Sequence, residues 1–350
     1  MIQSRWSSQC WFLPVVAVVV ALSGCGPAAD KGQVTLYCAQ DQEFAEHLLH
    51  DFTRQTGITV NPKFDTEANK SVGLYLELMQ EQGRPRCDVF WNNEILSTIR
   101  LQKAGLLEPY VSPSALDFPD FARAGDATWT AFAGRARVLI VNTDLVAHAE
   151  MPRSRFDLLQ PRWRGALALA KPQFGTTATE AACLFEVLGP EKAKEYYRGL
   201  KSNGVTILPG NKQVAEAVGK GRFAAGFTDT DDALIEIQAG RPVAMIFLDR
   251  DAPANDRMGT LFLPNTVAII RDGPNPGNAR KLVDYLLSGE VEKRLAEGGG
   301  HQIPFNPNLT VNLPSQMATP KDAKPMNVNF EKAAEMWDEV QNFLREEFGR

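Results

Sequence analysis

Short apolar segments that alternate with amphipathic helices constrain the fold of this chain more than any other feature. Apolar segments at 34–39, 58–60 and 87–91 are separated by stretches in which apolar residues recur every three or four positions, as in helices with one buried face. A polar corner, Gln40 and Asp41, follows the first of these segments. Strands connected through helices pack as parallel sheets. The sequence therefore predicts an α/β fold with parallel-type sheets.

The length of the chain and the order of its segments indicate two lobes. A chain of 350 residues is longer than a domain with a single hydrophobic core ordinarily is. We expect the apolar segment 137–142 to cross into a second α/β lobe and the segment 259–270 to cross back. The predicted bounds are 1–24 for a signal peptide, 25–33 for a tether, 34–136 plus 266–300 for lobe 1, and 137–265 plus 301–350 for lobe 2 with the C-terminal helix.

The beginning of the chain has the features of a bacterial secretory leader. Arg5 is its one charged residue, and the apolar run at 11–22 is too short to span a bilayer. The run ends at a Cys preceded by small residues, which resembles the bacterial lipobox, so we expect Cys25 to be lipidated and to become the first mature residue. An uncleaved N-terminal anchor is the alternative. Gly26 rather than Asp follows, so no inner-membrane retention signal is indicated, and outer and inner membrane both stay open.

Charge and cysteine content exclude two classes of site. The net charge is −5 and no basic run is present, which gives no basis for binding nucleic acid. Beyond the leader and the predicted lipidation site, Cys38, Cys87 and Cys183 remain. Cys38 ends one predicted strand and Cys87 begins another, so they are too far apart to form a disulfide. We expect three free, buried cysteines, and no Cys/His spacing indicates a zinc site.

The most unusual stretch is the polar corner at 228–232, where a predicted strand at 223–227 leads into a helix expected to begin at Asp232. Three carboxylates and two hydroxyls lie in this corner. Ligands of open α/β sheets bind at the carboxyl ends of strands, beside helix N-termini. One Asp in such a place is ordinarily a helix N-cap, but three exceed what a cap needs. The corner, with Asp229 and Asp231, is therefore predicted to face a cation.

A second corner, at 171–179, combines Gly with hydroxyl residues directly before a helix predicted at 180–188. Gly and hydroxyls at a helix N-terminus are typical of sites that hold anions. The segment is not a Walker loop, because no Gly-Lys-Ser/Thr ending follows. Thr176 and Thr177 are therefore candidates for an anion site, and an ordinary Thr N-cap is the alternative.

The complete order of segments resembles the periplasmic solute-binding proteins of ABC importers, in the group that holds ferric-ion, thiamine and phosphonate binders. The resemblance covers nearly all of the predicted mature chain. It is carried by the segments 52–58, 87–91, 104–109, 134–138 and 282–287. The resemblance implies the two-lobed fold of type II periplasmic binding proteins, with a cleft that closes on a ligand by a hinge.

The ferric-ion binders of this family hold iron with a His after the first strand, a Glu after the third and a tandem Tyr pair at the 228–232 corner. This chain departs from that pattern at each position: Asp41 takes the place of the His, Asn93 that of the Glu, and Thr230 and Asp231 that of the Tyr pair. The resemblance therefore implies the family fold but no phenolate ligation of iron.

A cleft with Asp41, Glu94, Asp229 and Asp231 facing one another is expected from these correspondences. Carboxylates suit hard cations, with Asp41, Asp229 and Asp231 as metal ligands. They also suit an organic cation, with Trp91 as an aromatic platform, and a phosphate at the second corner would complete a zwitterionic ligand. The expected ligand-binding residues are Gln40, Asp41, Trp91, Asn93, Glu94, Thr176, Thr177, Asp229, Thr230 and Asp231.

The sequence thus predicts a lipid-anchored, monomeric receptor on the periplasmic side of the cell envelope. We expect it to capture iron or another metal ion and deliver it to an ABC permease, and the alternative cargo is an organic cation or a phosphorylated or phosphonate compound. A metal ion would be cargo, and no cofactor is expected. No Gly-x-Ser-x-Gly elbow or His-Glu-x-x-His helix is present, so we expect no enzymatic activity.

Overall fold

The computed structural model describes residues 1–2, 32–65, 71–249 and 258–349. The predicted leader beyond residue 2, Cys25 and the predicted tether up to residue 31 lie outside the described residues. The same holds for Asn69, at which the sequence predicts the N-cap of the helix that follows 58–60.

Ten strands and eleven α-helices form within the described ranges. The strands are β1 (Gln33–Cys38), β2 (Thr59–Phe64), β3 (Val89–Asn92), β4 (Leu107–Glu108), β5 (Trp129–Asn142), β6 (Leu167–Ala170), β7 (Thr206–Leu208), β8 (Ala225–Asp229), β9 (Val243–Ile246) and β10 (Phe262–Ile270). The helices are α1 (Gln42–Thr56), α2 (Val72–Gln80), α3 (Leu96–Lys103), α4 (Gly175–Leu188), α5 (Pro190–Ser202), α6 (Asn211–Gly219), α7 (Thr230–Gln238), α8 (Pro276–Leu286), α9 (Gly289–Glu297), α10 (Phe330–Glu335) and α11 (Trp337–Phe348).

The strands form a continuous mixed sheet in the order β2-β1-β3-β10-β5-β8-β6-β7, with β4 beside β10 and β9 beside β5. The predicted parallel pairing is confirmed within each half: β1 pairs in parallel with β2 and β3, and β6 pairs in parallel with β7 and β8. The two long strands between the halves, β5 and β10, run antiparallel to each other. A sheet of this kind places the carboxyl ends of β1, β3, β6 and β8 near the centre of the molecule.

Strand β5 belongs to both halves of the sheet. All 14 of its residues are buried. Its first part, up to Ala136, pairs with β10, and its second part, from Arg137 onward, pairs with β8 and β9. The change of partner falls at Arg137, and the division of the chain into lobes remains a prediction.

Several element boundaries differ from the sequence expectations; for example, β5 begins at Trp129 rather than at 137, and α4 begins at Gly175 rather than at 180. The strand expected at 223–227 is β8, which ends two residues later at Asp229, and α7 begins at Thr230. The amphipathic stretch 276–297, whose apolar spacing predicts one helix, is divided into α8 and α9, because Ser288 accepts a hydrogen bond from the Val291 N–H and starts a new helix. The last helix is also divided, at Met336.

Apolar side chains of the sheet and the helices that cover it form the main core. Cys38, Cys87 and Cys183 are buried in it, as predicted, and form no disulfide among the described residues. Within the described ranges, no helix combines the length and the apolar character that crossing a membrane requires.

Candidate functional site

A cleft of about 410 Å³, open to solvent, lies where β1, β3, β6 and β8 end. Loops from both halves of the sheet contribute to its walls. The lining residues are Asp41, Asn93, Arg135, Ala170, Lys171, Phe174, Gly175, Thr176, Thr177, Pro209, Gly210, Asn211, Asp229, Asp231 and Asp232. Both polar corners of the sequence therefore meet in one place, as expected for the carboxyl edge of an α/β sheet.

Asp229, the last residue of β8, anchors the hydrogen-bond network of the cleft. Its Oδ1 accepts a hydrogen bond from Arg137 Nη1 at 2.8 Å. Its Oδ2 accepts from Thr176 Oγ1 at 2.6 Å and from Asn211 Nδ2 at 3.0 Å. Asn211 Oδ1 in turn accepts from the Thr177 hydroxyl at 3.1 Å. The network joins β8 to the beginnings of α4 and α6, so it fixes the wall that the second half of the sheet provides.

Arg137 connects this network to a buried ion-pair chain behind the cleft. Its Nε lies 3.2 Å from Glu180 Oε2, and Glu180 Oε1 accepts from Arg155 Nη1 at 3.1 Å. All three side chains are almost completely buried. Burial alone would lower the pKa of Arg137, but Asp229 and Glu180 outweigh that effect and raise it. The guanidinium is therefore a fixed positive charge directly behind Asp229.

Arg135, two residues earlier on β5, reaches into the cleft itself. Its Nη2 donates to Gln40 Oε1 at 2.7 Å and its Nη1 to the Asn93 carbonyl oxygen at 3.5 Å. Its Nε lies 3.2 Å from Asp231 Oδ2. One guanidinium thus contacts the corners after β1 and β3 on one side and the first turn of α7 on the other.

The first turn of α7 presents two carboxylates beside Asp229. Carboxylate oxygens of Asp229, Asp231 and Asp232 lie within 4.8 Å of one another. Asp231 Oδ1 accepts from the Asp232 N–H at 3.2 Å, and Asp232 Oδ2 accepts from the Thr228 hydroxyl at 3.3 Å. Acidic side chains suit the positive end of a helix, and three of them at this spacing also resemble the donor set of a hard cation.

The beginning of α4 forms an electropositive part of the wall, next to Asp229. Gly175 is its first residue, and no side chain caps the helix. The N–H groups of a helix's first turn lack partners inside the helix, and here the residues that carry them, Gly175, Thr176 and Thr177, line the cleft. Lys171, exposed at the rim, places its Nζ 5.4 Å from the centre of the Phe174 ring. This arrangement suits an anionic group.

Six of the ten residues that the sequence indicates as ligand-binding lie together in this cleft. They are Asp41, Asn93, Thr176, Thr177, Asp229 and Asp231. The structure does not bring the other four to the cleft wall.

Trp91 and Glu94 have structural roles. Trp91 is fully buried and packs against Phe132 at 5.5 Å between ring centres, so it offers no aromatic platform to a ligand. Glu94 caps the beginning of α3 by accepting from the Leu96 and Ser97 N–H groups at 2.6 and 2.9 Å. The expected four-carboxylate arrangement therefore loses Glu94, because its oxygens serve a helix N-terminus.

Gln40 and Thr230 support the site from behind. The Gln40 side chain accepts from Arg135, and both Gln40 and Thr230 are almost completely buried. The Thr230 hydroxyl accepts from the Ala136 N–H at 3.2 Å, which ties the beginning of α7 to β5.

Arg135, Lys171, Phe174 and Asn211 are cleft residues that the sequence reasoning missed. A usable signal existed for Arg135 and its neighbour Arg137. Both stand in a strand that is mostly apolar, and Arg in such a strand is buried only with a partner. Asn211 is the first residue of α6, where its side-chain role could not be distinguished from ordinary capping.

Two long crossing strands, two half-sheets and a polar cleft between their carboxyl ends define a two-lobed periplasmic binding protein, which confirms the predicted fold class. The family model for bacterial extracellular solute-binding proteins matches residues 34–300, and the chain belongs to that family.

Curated relatives include proteins for different solutes. The chain is 25% identical over 306 residues to the major ferric iron-binding protein of Neisseria meningitidis, which covers 85% of this chain and 88% of that protein. It is also 25% identical over 286 residues to a putative 2-aminoethylphosphonate-binding periplasmic protein of Salmonella typhi, which covers 77% of this chain and 78% of that protein. These relatives confirm the class of transport protein and support a periplasmic location.

Solved structures show the same fold. Iron-bound HitA from Pseudomonas aeruginosa superimposes with a TM-score of 0.79 at 21% identity, covering 90% of this chain and 99% of that chain. AfuA from Actinobacillus pleuropneumoniae, with fructose-6-phosphate bound, superimposes with a TM-score of 0.78 at 21% identity, covering 91% of this chain and 99% of that chain.

Proposed function

We propose that this protein captures a small solute that carries a phosphate or phosphonate group together with a cationic or hydroxyl-bearing part, and that it delivers this solute to the permease of an ABC importer. The observation that carries the proposal is that the cleft has one electropositive part and one acidic part. The uncapped N-terminus of α4 and Lys171 form one part, and Asp41, Asp231 and Asp232 belong to the other.

Each part matches one end of such a solute. Backbone N–H groups at a helix N-terminus and a lysine suit the oxygens of a phosphate or phosphonate. Carboxylates accept hydrogen bonds from hydroxyl or ammonium groups.

The relatives support this choice of chemistry. One curated relative is described as a putative 2-aminoethylphosphonate-binding protein, whose ligand combines an ammonium group with a phosphonate. AfuA, which has the same fold, holds fructose-6-phosphate, a ligand with hydroxyls and a phosphate.

A metal ion, with iron as the first choice, is the second candidate cargo. The spacing of the Asp229, Asp231 and Asp232 oxygens favours it, as do the ferric iron-binding relatives; Asp41 would complete the ligand set. We place it second because Asp229 already accepts three hydrogen bonds and Asp231 lies against Arg135. In both cases the protein binds and releases its cargo, and no catalytic step is proposed.

Titration followed by thermal melting tests the choice of cargo. The mature protein is titrated separately with 2-aminoethylphosphonate, fructose-6-phosphate, inorganic phosphate, thiamine, Mn(II), Fe(II) and Fe(III) supplied as its citrate complex. A bound ligand raises the melting temperature as its concentration increases, and we expect that rise with an organic phosphorus compound. A rise with Fe(III) alone would contradict the proposal and favour the second candidate.

Two substitutions locate the site. Asp41→Asn and Asp231→Asn each remove a carboxylate from the cleft, so each should weaken binding of the effective solute by at least about tenfold. Asp120→Asn, which changes an exposed carboxylate outside the cleft, is the matched control and should bind normally. Unchanged affinity in both cleft variants would show that the solute binds elsewhere.

We further propose that a lipid anchor at Cys25 holds the protein at the periplasmic side of the cell envelope. The resemblance of the segment before Cys25 to a lipobox supports this, as does the periplasmic location of the relatives. Radiolabelled palmitate should label the natural protein but not Cys25→Ser, and equal labelling of both would contradict the anchor.

A further inference from the structure

An exposed ion pair joins the two halves of the sheet at the rim of the cleft. Nζ of Lys212 lies 3.2 Å from Oε1 of Glu43, and 47% and 55% of the two side chains are exposed. Glu43 belongs to α1, which follows β1 in the first half, and Lys212 belongs to α6, which precedes β8 in the second half. The two residues are 169 positions apart in the chain, so only the folded protein brings them together.

The pair lies beside the opening of the cleft. Asp41 and Asn211 line the cleft wall. Glu43 and Lys212 follow them closely in the sequence, in the first turns of α1 and α6. Their charged ends therefore bridge the rim, and a solute that passes this part of the rim requires them to separate.

The electrostatics of the helix ends explain Glu43 but not Lys212. A carboxylate in the first turn suits the positive end of a helix, whereas an ammonium group in that place is unfavourable. Lys212 stands in the first turn of α6, and the carboxylate that it contacts is that of Glu43, on another helix. The interaction that stabilises the Lys212 charge thus comes from across the rim.

We propose that Glu43 and Lys212 form a latch, an ion pair that holds the rim of the cleft closed and controls how fast a solute leaves. Two-lobed binding proteins close around their ligands, and a contact made only in the closed arrangement shifts the equilibrium toward it. An exposed ion pair is weak, so this latch favours closure without trapping the solute. The inference rests on the proposed function only in taking the cleft as the place of the solute, and it applies to either candidate cargo.

The distance across the rim tests the latch without any ligand. Spin labels are attached at two exposed positions, through His50→Cys on α1 and Arg222→Cys after α6, in the mature protein with Cys25→Ser. The cysteines of the core are buried and stay unlabelled. Double electron–electron resonance then gives the ratio of open to closed molecules. We expect Glu43→Gln to raise this ratio about two- to fivefold, the effect of one exposed ion pair.

A double-mutant cycle separates the pair from its surroundings. In a Lys212→Gln background, Glu43→Gln should change the ratio no further, because the interaction is already lost. Salt screens exposed charges, so the difference between Glu43→Gln and the natural protein should shrink at about 1 M salt. Glu216→Gln is the matched control: it removes an exposed ion pair with Lys220 inside α6, of 3.1 Å, and should leave the ratio unchanged.

The rate of solute release is the second measurement, with 2-aminoethylphosphonate as the probe. Its dissociation, followed by stopped-flow fluorescence, should be about two- to fivefold faster from Glu43→Gln than from the natural protein. Glu216→Gln should release the probe at the natural rate. Both substituted side chains are exposed, so the variants should fold as the natural protein does.

Three results would overturn the inference. The first is an unchanged ratio of open to closed molecules in Glu43→Gln. The second is an effect of Glu43→Gln that persists in full when Lys212 is already Gln. The third is a bound probe that leaves Glu43→Gln and the natural protein at the same rate.

Failure of the inference differs from failure of the proposed function. If 2-aminoethylphosphonate binds the natural protein and the latch variants neither open nor release it faster, only the inference fails. If the latch variants open as expected and no organic phosphorus compound binds, only the choice of cargo fails.

Discussion

The carboxylate of Glu180 balances the charges of two buried guanidinium groups. It accepts from Arg137 on the side of the cleft and from Arg155 on the far side, and Arg155 Nε also lies 3.8 Å from Asp249. The resulting chain runs from Asp229 through the interior of the protein. Each charge in it depends on its neighbours, because an uncompensated buried charge is costly. The geometry of the cleft wall thus depends on a residue that lines no part of the cleft.

We predict that Glu180→Gln destabilises the protein by about 3–5 kcal/mol, the usual effect of removing one partner from a buried ion pair. Urea unfolding measures the change in the free energy of unfolding. Glu186→Gln, on the same helix but less buried, is the control and should cost less than about 1 kcal/mol. Equal effects of the two substitutions would show that the Glu180 chain contributes no special stability.

Single residues differ in how far their sequence position determines their role. Asp229 and Thr176 could be predicted because they follow strands and precede helices, and those places meet at the carboxyl edge of the sheet. Glu94 follows a strand in the same way, but its oxygens turn back to cap α3. Sequence alone does not show which way such a carboxylate turns, because cap and ligand positions have the same local pattern.

Helices α1 and α9 are tied together by Asp51. Its carboxylate lies 2.6 Å from Arg294 Nη1 and also contacts Arg54. Burial tends to raise the pKa of Asp51, but the pairs with Arg294 and Arg54 outweigh that effect and lower it below its ordinary value of 3.8. A lowered pKa in the folded state means that the ionised carboxylate stabilises folding above pH 3.8, and that this contribution is lost as the pH falls through the lowered value.

We predict that Asp51→Asn lowers the melting temperature by roughly 1–2 °C at pH 7, because the ion pair is partly exposed and contributes modestly. The difference from the natural protein should shrink at pH 2, because the protonated fraction of Asp51 increases as the pH falls below 3.8. Calorimetry at both pH values measures it, with Asp117→Asn, an exposed carboxylate elsewhere, as the control. A difference that persists unchanged at pH 2 would contradict the role assigned to the charge.

The sequence predicts well which segments form helices and strands, and it predicts less well the residues at which they begin and end. Gly57 ends α1 with a φ of +72°, as expected for a glycine after a helix. The sequence predicts the end of β8 two residues too early, because Thr228 and Asp229 are polar and resemble a corner. In the structure they continue the strand, since Val138 and Arg137 of β5 pair with them. Tertiary pairing extends the strand beyond its apolar residues.

At the scale of the whole molecule, β5 and β10 connect the halves and meet at an irregular point. The register between the two strands shifts between Pro264 and Asn265. Opposite this shift Ala133 has a φ of +35°, and Glu292 accepts a hydrogen bond from its N–H at 2.8 Å. The order of segments predicted the two crossings, but the irregular point depends on contacts between residues 159 positions apart and has no local signal.

Elemental analysis of the cargo tests the central claim, that the cleft between the two halves holds a small organic phosphorus compound. The protein is expressed in a bacterial periplasm, isolated without refolding in phosphate-free buffer, and analysed for phosphorus and metals by plasma mass spectrometry. We predict a phosphorus content of about one atom per chain, with no matching metal, and loss of that phosphorus in Asp231→Asn. One iron per chain would contradict the account.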